Sequence, residues 1–283
     1  MKSKAILIAA SILITSLAAG CSSNSSQNST NSSSAGAVSS SSATTLAESG
    51  NDKENTDESD VSKSESKTEQ IAGDPVDSNW FDDAVFIGDS VTLKLSYYCE
   101  DHDDLGNAEF LCEGSLGYTN ALWELDHEDN VHPVYNGDKV TVDQGVKLIN
   151  PKKIFIMLGM NDIGLYGVDD AVSSMIELTD KIKKSCPDAV IYIESVTPMV
   201  EGNSIGSLNN ESIREFDEKL KPVCKEKGYT YLDVSSAVSD ENGNLIYEYC
   251  GDPPTDDNPD AMGLHFTDTG CAKWAEYLRT HVQ

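Results

Sequence analysis

From residue 84 onward, short, largely apolar runs of four to six residues alternate with longer stretches whose apolar positions recur every three or four residues. The runs are Ala84-Val85-Phe86-Ile87, ended by Gly88; a weaker one over Glu109 to Cys112; Lys153-Ile154-Phe155-Ile156-Met157-Leu158, ended by Gly159; Ala189-Val190-Ile191-Tyr192-Ile193; and Tyr229 to Val234. Their length and composition predict buried strands. Between them, Val91 to Tyr98, Asp143 to Ile149, Val168 to Ser185 and Asn210 to Lys227 predict helices. The third of these sets Val172, Met175, Ile176 and Ile182 at helical spacing and is followed by Pro187; the fourth is ended by Gly228; and Thr267 reads as the N-cap of a last helix through Leu278. Alternating strands and helices predict an α/β sandwich around a mostly parallel, five-stranded sheet with right-handed crossovers. Ligands bind such sheets beyond the carboxyl ends of the strands, so the chemistry is sought just after each apolar run.

The first 78 residues do not share this pattern. Lys2 and Lys4 precede a nearly continuous apolar stretch, Ala5 to Leu17, that is short for a bilayer span. Leu17-Ala18-Ala19-Gly20-Cys21 follows and resembles a bacterial lipobox. The expectation is a signal over 1–21, with cleavage before Cys21 and lipidation of its thiol; several acyl chains on one cysteine satisfy the need for more than one chain in stable anchoring. Residues 22–78 are rich in Ser and Asn and then acidic, with too few large apolar side chains to offset the entropy of ordering. They predict a flexible tether with an r.m.s. span of roughly 40 Å. Residues 79–283 are long enough for one domain with a core.

Of the formal net charge of −28, the signal carries +2 and the tether −7, so the acidity belongs mostly to the domain. Such a surface disfavours nucleic acid and anionic headgroups. Besides Cys21, six cysteines (Cys99, Cys112, Cys186, Cys224, Cys250 and Cys271) allow disulfides or small buried thiols. No Cys or Cys/His spacing suggests a metal site, and no cofactor is expected.

Three short segments stand where the topology places chemistry: Gly88-Asp89-Ser90 after the first strand, Gly159-Met160-Asn161-Asp162 after the third, and Gly263-Leu264-His265-Phe266 before the last helix. A serine hydroxyl needs an adjacent base to become a nucleophile, and His265 can take its proton and return it to a leaving group. Ser90 at a strand-to-helix turn lies among free backbone N–H groups, which suit an acyl-transfer oxyanion. Gly117, in Gly114-Ser115-Leu116-Gly117-Tyr118-Thr119, can lend another N–H, with Gly114 the competing assignment, and Asn161 can donate from its side-chain amide.

This arrangement resembles the SGNH/GDSL hydrolase family over about Phe81 to Tyr277. The resemblance implies a three-layer α/β/α sandwich of the flavodoxin-like kind, Ser90 as nucleophile, His265 as base, and Ser90, Gly117 and Asn161 as the oxyanion hole. Members include esterases, lipases, thioesterases, carbohydrate O-deacetylases and acyltransferases. One position departs from the pattern: where the family carries Asp three residues before the histidine, this chain has Met262. A backbone carbonyl that holds the His265 N–H in a Ser–His dyad is the first reading; Asp260 is the candidate carboxylate, and Asp252, Asp256 or Asp257 in the preceding loop are the alternatives.

Other residues read blandly. His102, His127, His132 and His281 are expected in solvent, Glu100 to Asp104 as a solvated acidic loop, Asp162 as a loop anchor, and Trp80, Trp123 and Trp274 in the core. The expected function is an extracytoplasmic, lipid-anchored ester hydrolase acting through an acyl-enzyme on a small-molecule or glycan ester, with O-acetyl groups of carbohydrate or cell-wall glycan as the substrate class. Acyl transfer to a glycan, or a non-catalytic glycan- or partner-binding lipoprotein, are the other readings.

Overall fold

In a computed structural model of the protein, residues 72–282 are described. The signal over 1–21, the lipidation expected at Cys21 and nearly all of the tether lie outside them. The chain packs earlier than the expected boundary at 79: Gly73 N–H donates to Thr280 O and Val76 N–H to Arg279 O, both at 2.8 Å.

The elements run β1 (Ala84–Gly88), α1 (Ser90–Asp101), β2 (Glu109–Cys112), β3 (Val134–Tyr135), β4 (Asp138–Lys139), α2 (Val142–Ile149), β5 (Lys153–Met157), α3 (Met160–Tyr166), α4 (Val168–Ser185), β6 (Val190–Glu194), β7 (Ser204–Ile205), β8 (Leu208–Asn209), α5 (Asn210–Lys227), β9 (Thr230–Leu232), α6 (Ser235–Val238) and α7 (Asp268–His281). Five strands form one sheet in the order β2-β1-β5-β6-β9, and every pairing in it is parallel. Helix α1 packs with α7, and α4 with α2 and α5, so two helical groups flank the sheet.

The register places Phe86 opposite Phe110 and Phe155, and Phe155 opposite Tyr192. Their rings stack across four strands at centroid separations of 5.3, 4.6 and 4.5 Å. Cross-strand aromatic pairs add to plain burial, and they lock the register that brings the strand ends level. Trp274 is wholly buried in the core, whereas Trp80 and Trp123 are only partly covered.

The helix limits follow from local chemistry. Helix α5 begins at an Asn209 side chain that accepts the Glu211 and Ser212 N–H groups, and it ends at Gly228 in the left-handed region at φ 72°. The sequence segment over Gly159 to Asp162 is not a loop: from Met160 it is the first turn of α3, whose Met160 and Ile163 are buried. His132 is also not in solvent. It is fully buried, its Nε2 lies 2.9 Å from Trp123 O, and burial depresses its pKa.

All six described cysteines are free thiols. Burial pushes Cys99, Cys112, Cys224, Cys250 and Cys271 up to about 12, so they are protonated and unreactive at neutral pH.

Candidate active site

Strand β1 delivers Ser90 to the carboxyl edge of the sheet. The last residue of the strand must be glycine, because a Cβ at Gly88 would fall 1.8 Å from Thr92 Oγ1 and 2.9 Å from Met157 O. Asp89 then caps α1, its carboxylate accepting the Val91 N–H at 2.9 Å. Ser90 is therefore the first helical residue, and its own N–H has no acceptor within the helix. Burial raises the Asp89 carboxyl to about 6, against the lowering effect of the Val91 N–H and the nearby His265.

His265 reaches the same point from the far end of the chain. Its Nε2 lies 2.9 Å from Ser90 Oγ. Its Nδ1 lies 2.7 Å from Asp252 Oδ2. The carboxylate that meets the imidazole is thus Asp252, not Asp260, and no backbone carbonyl takes that place. Asp260 is exposed on the 251–263 loop, while Asp252 is bound into the turn that carries the histidine: its Oδ1 accepts the N–H of Leu264 at 3.1 Å and of His265 at 3.0 Å. Burial pushes the Asp252 carboxyl up, but the bonds from the His265 ring and backbone, the His265 charge and the Leu264 N–H outweigh it, and the net shift is downward. An ionised Asp252 accepts a hydrogen bond from Nδ1–H, which leaves Nε2 as the acceptor for the serine hydroxyl.

The loop that carries the histidine is closed from behind. Gly251 N–H donates 2.7 Å to His265 O, and Val200 N–H donates 2.8 Å to Gly263 O. Gly263 has φ 65°, and a Cβ there would meet Asn203 Nδ2 at 2.4 Å and Val200 Cγ2 at 2.6 Å. Thr267, two residues after His265, caps α7 by accepting the Gly270 N–H.

Asn161, on the first turn of α3, lies between the two other segments. Its Nδ2 donates to Leu116 O at 2.9 Å and reaches Asp89 Oδ2 at 3.4 Å. The adjacent Asp162 is buried and accepts the Tyr118 and Thr119 N–H groups, each at 2.8 Å. It anchors the 117–119 turn against α3, and burial raises its carboxyl despite those bonds. Residue 117 must be glycine because a Cβ would fall 2.6 Å from Asp162 Oδ2. The Gly117 N–H, however, is not free for an oxyanion as expected: it donates 2.8 Å to Asn120 Oδ1. The competing Gly114 N–H is also engaged, by Glu113 Oε1 at 3.1 Å.

Asp252 and Asn120 are the residues that sequence reasoning did not single out. Asp252 was one of several loop carboxylates, and thirteen residues separate it from His265, so no spacing marks it. Asn120 carries a local signal, a side-chain amide three residues after the motif glycine, of the kind that folds back on its own turn.

Among curated protein sequences, none matches the chain. Solved structures resemble it in fold. A GDSL-like lipase from Bacteroides thetaiotaomicron aligns with a TM-score of 0.51 at 14% identity, over 70% of this chain and 86% of its own. A protein from Streptococcus pneumonia, provisionally described as a platelet activating factor, aligns with a TM-score of 0.52 at 19% identity, over 69% and 81%. The model of the GDSL-like lipase/acylhydrolase family matches residues 86–273, about two-thirds of the sequence and every segment of the site just described. The chain belongs to the GDSL-like lipase/acylhydrolase family, and it is a hydrolase.

Proposed function

We propose that this protein is an extracytoplasmic serine esterase that removes O-acyl groups, acetyl above all, from carbohydrate or cell-wall glycan. The observation that carries the catalytic part is the unbroken Asp252–His265–Ser90 chain of hydrogen bonds at the carboxyl edge of a parallel sheet.

In this reading His265 Nε2 takes the hydroxyl proton as Ser90 Oγ attacks the acyl carbonyl, and Asp252 stabilises the imidazolium. The oxyanion is met by the Ser90 N–H at the positive end of α1 and by the second hydrogen of Asn161 Nδ2, which leaves its long 3.4 Å contact with Asp89 Oδ2 while the first stays on Leu116 O. The alcohol departs with the proton from His265. Water then gives a proton to the same nitrogen as it attacks the acyl group, and His265 returns that proton to Ser90 Oγ as the acyl–oxygen bond breaks and the carboxylic acid leaves. The lipobox-like segment ending at Cys21 and the tether of 22–78 support placement at a membrane surface with reach into a wall.

The test is release of p-nitrophenol from p-nitrophenyl acetate, and of acetate from O-acetylated glycans, by wild type and Ser90→Ala. Serine-dependent release from both supports the reading. Serine-dependent transfer of acetyl to an added glycan in preference to water replaces hydrolysis by transfer. The absence of any Ser90-dependent reaction removes it. Incorporation of labelled palmitate that vanishes in Cys21→Ser tests the anchor.

A further inference from the structure

The donor that the family motif implies for Gly117 is already occupied by a side chain of the same turn. Asn120 Oδ1 accepts the Gly117 N–H at 2.8 Å, and Asn120 Nδ2 donates to Ser115 O at 2.8 Å. The side chain thereby closes both ends of a turn in which Ser115 holds φ 62°, a left-handed backbone that a Cβ disfavours. The rest of the turn is fixed independently. Asp162 holds the Tyr118 and Thr119 N–H groups, and Asn161 holds Leu116 O. The Gly117 N–H can therefore change partner with little backbone movement, by departure of the Asn120 side chain.

We infer that Asn120 is a displaceable placeholder at the oxyanion site: its amide oxygen holds the Gly117 N–H in the resting enzyme and yields it to the tetrahedral oxyanion on Ser90. This rests on Ser90 being the nucleophile. The physical basis is a difference in acceptor strength. Asn120 Oδ1 is a neutral carbonyl oxygen, and so is the oxygen of a bound ester, so the substrate gains little by replacing it. An oxyanion makes a charge-assisted bond roughly twice as strong. The donor is withheld from the ground state and released as negative charge develops, which is differential binding that raises kcat and leaves KM alone. Asn120 is only partly covered, at the start of the short helical turn Asn120–Leu122, so its displaced amide has water to bond. It is a positioning residue, acting through Gly117.

The test separates the placeholder from the clamp on Ser115 by working in a Ser115→Gly background, where glycine adopts the positive φ without support. There Asn120→Ala removes the competitor for the N–H. The expected result is a kcat/KM on p-nitrophenyl acetate about three- to tenfold higher, carried by a lower KM at nearly unchanged kcat because the freed N–H now also meets the ground-state ester, with affinity for a boronic acid, whose serine adduct is a tetrahedral anion, tightened by the same factor. Asn120→Asp sets a carboxylate against the oxyanion, with kcat expected to fall about 100-fold and boronic acid affinity in parallel. A kcat/KM and a boronic acid affinity that fall or stay level in Asn120→Ala overturn the inference and leave Asn120 as a clamp on the turn. Organophosphonate labelling of Ser90 in each protein keeps the two levels apart. A labelled wild type with unresponsive Asn120 variants removes the placeholder alone, whereas an unlabelled wild type removes the nucleophile and the placeholder with it.

Discussion

The Asp252 carboxylate accepts hydrogen bonds from two backbone N–H groups, the His265 ring and the Cys250 thiol, and a substitution acts differently on each. Asp252→Asn keeps an oxygen for the Leu264 and His265 N–H groups but loses the charge that selects the imidazole tautomer. Its kcat is expected to fall about 10³- to 10⁴-fold with little change in melting temperature. Asp252→Ala should lose the same activity and also lower the melting temperature, since the backbone groups lose their acceptor. Asp260→Ala, at an exposed position, should leave kcat within about twofold, because surface substitutions away from such networks are near neutral. Steady-state kinetics with thermal melts checks all three, and equal losses in Asp252→Asn and Asp260→Ala would refute the assignment. In the proposed mechanism Asn161 Nδ2 is an oxyanion donor, and Asn161→Ala should then cut kcat about 100- to 1000-fold with KM nearly constant.

At the scale of elements, the site is three segment ends held together by side-chain-to-backbone bonds. Asp162 joins α3 to the 117–119 turn, and its removal in Asp162→Ala would orphan the Tyr118 and Thr119 N–H groups. The expected destabilisation is about 1–3 kcal/mol per group left buried and unpaired, accompanied by a loss of kcat through the displaced turn. Urea unfolding set beside kinetics measures both, and a variant as stable and as active as wild type would show that the bonds contribute nothing. Thr267 has a narrower role at the start of α7. Thr267→Ala should weaken the fold by about 1 kcal/mol and change activity only as far as His265, two residues before it, is loosened.

Across the whole molecule, carboxyl groups with raised pKa values make the fold sensitive to alkali. Glu194 at the end of β6 is wholly buried, and its Oε2 accepts the Trp274 indole N–H at 2.5 Å. Burial raises it from 4.5 to about 8, against the lowering effect of that bond. A group raised in the fold stabilises while it stays protonated, so its contribution is complete below pH 4.5 and is lost as pH rises through about 8. Asp89 acts with the same sign between 3.8 and about 6, and Asp217, raised by burial, adds to it. Asp252, Asp240 and Asp268 are lowered, so their contributions are lost on the acid side, below 3.8. Stability should therefore fall from pH 6 to pH 8, and Glu194→Gln should remove about 2 kcal/mol of that fall. Denaturant titrations at the two pH values decide it; the same slope in both proteins would show that Glu194 is ionised throughout.

The order of strands and helices, and limits such as those of α4 and α5, were legible in the sequence because their causes are local. Apolar periodicity places each element, and Gly228 and the Cys186-Pro187 step terminate helices by backbone chemistry that needs no partner from afar. The serine, asparagine and histidine positions were legible for a related reason, since each follows a strand or precedes a helix whose place was readable. Helix α3 was not, because seven residues with Gly164 in the middle carry no strong helical signal; the burial of Met160 and Ile163 against the rest of the fold makes it a helix. Which carboxylate meets His265, and whether the Gly117 N–H is free, were decided only by tertiary structure. A loop rich in aspartates offers several groups of equal chemistry, and the path of its backbone selects Asp252. The direction of one N–H depends on dihedral angles that Asn120, Asn161 and Asp162 set together once the segments meet.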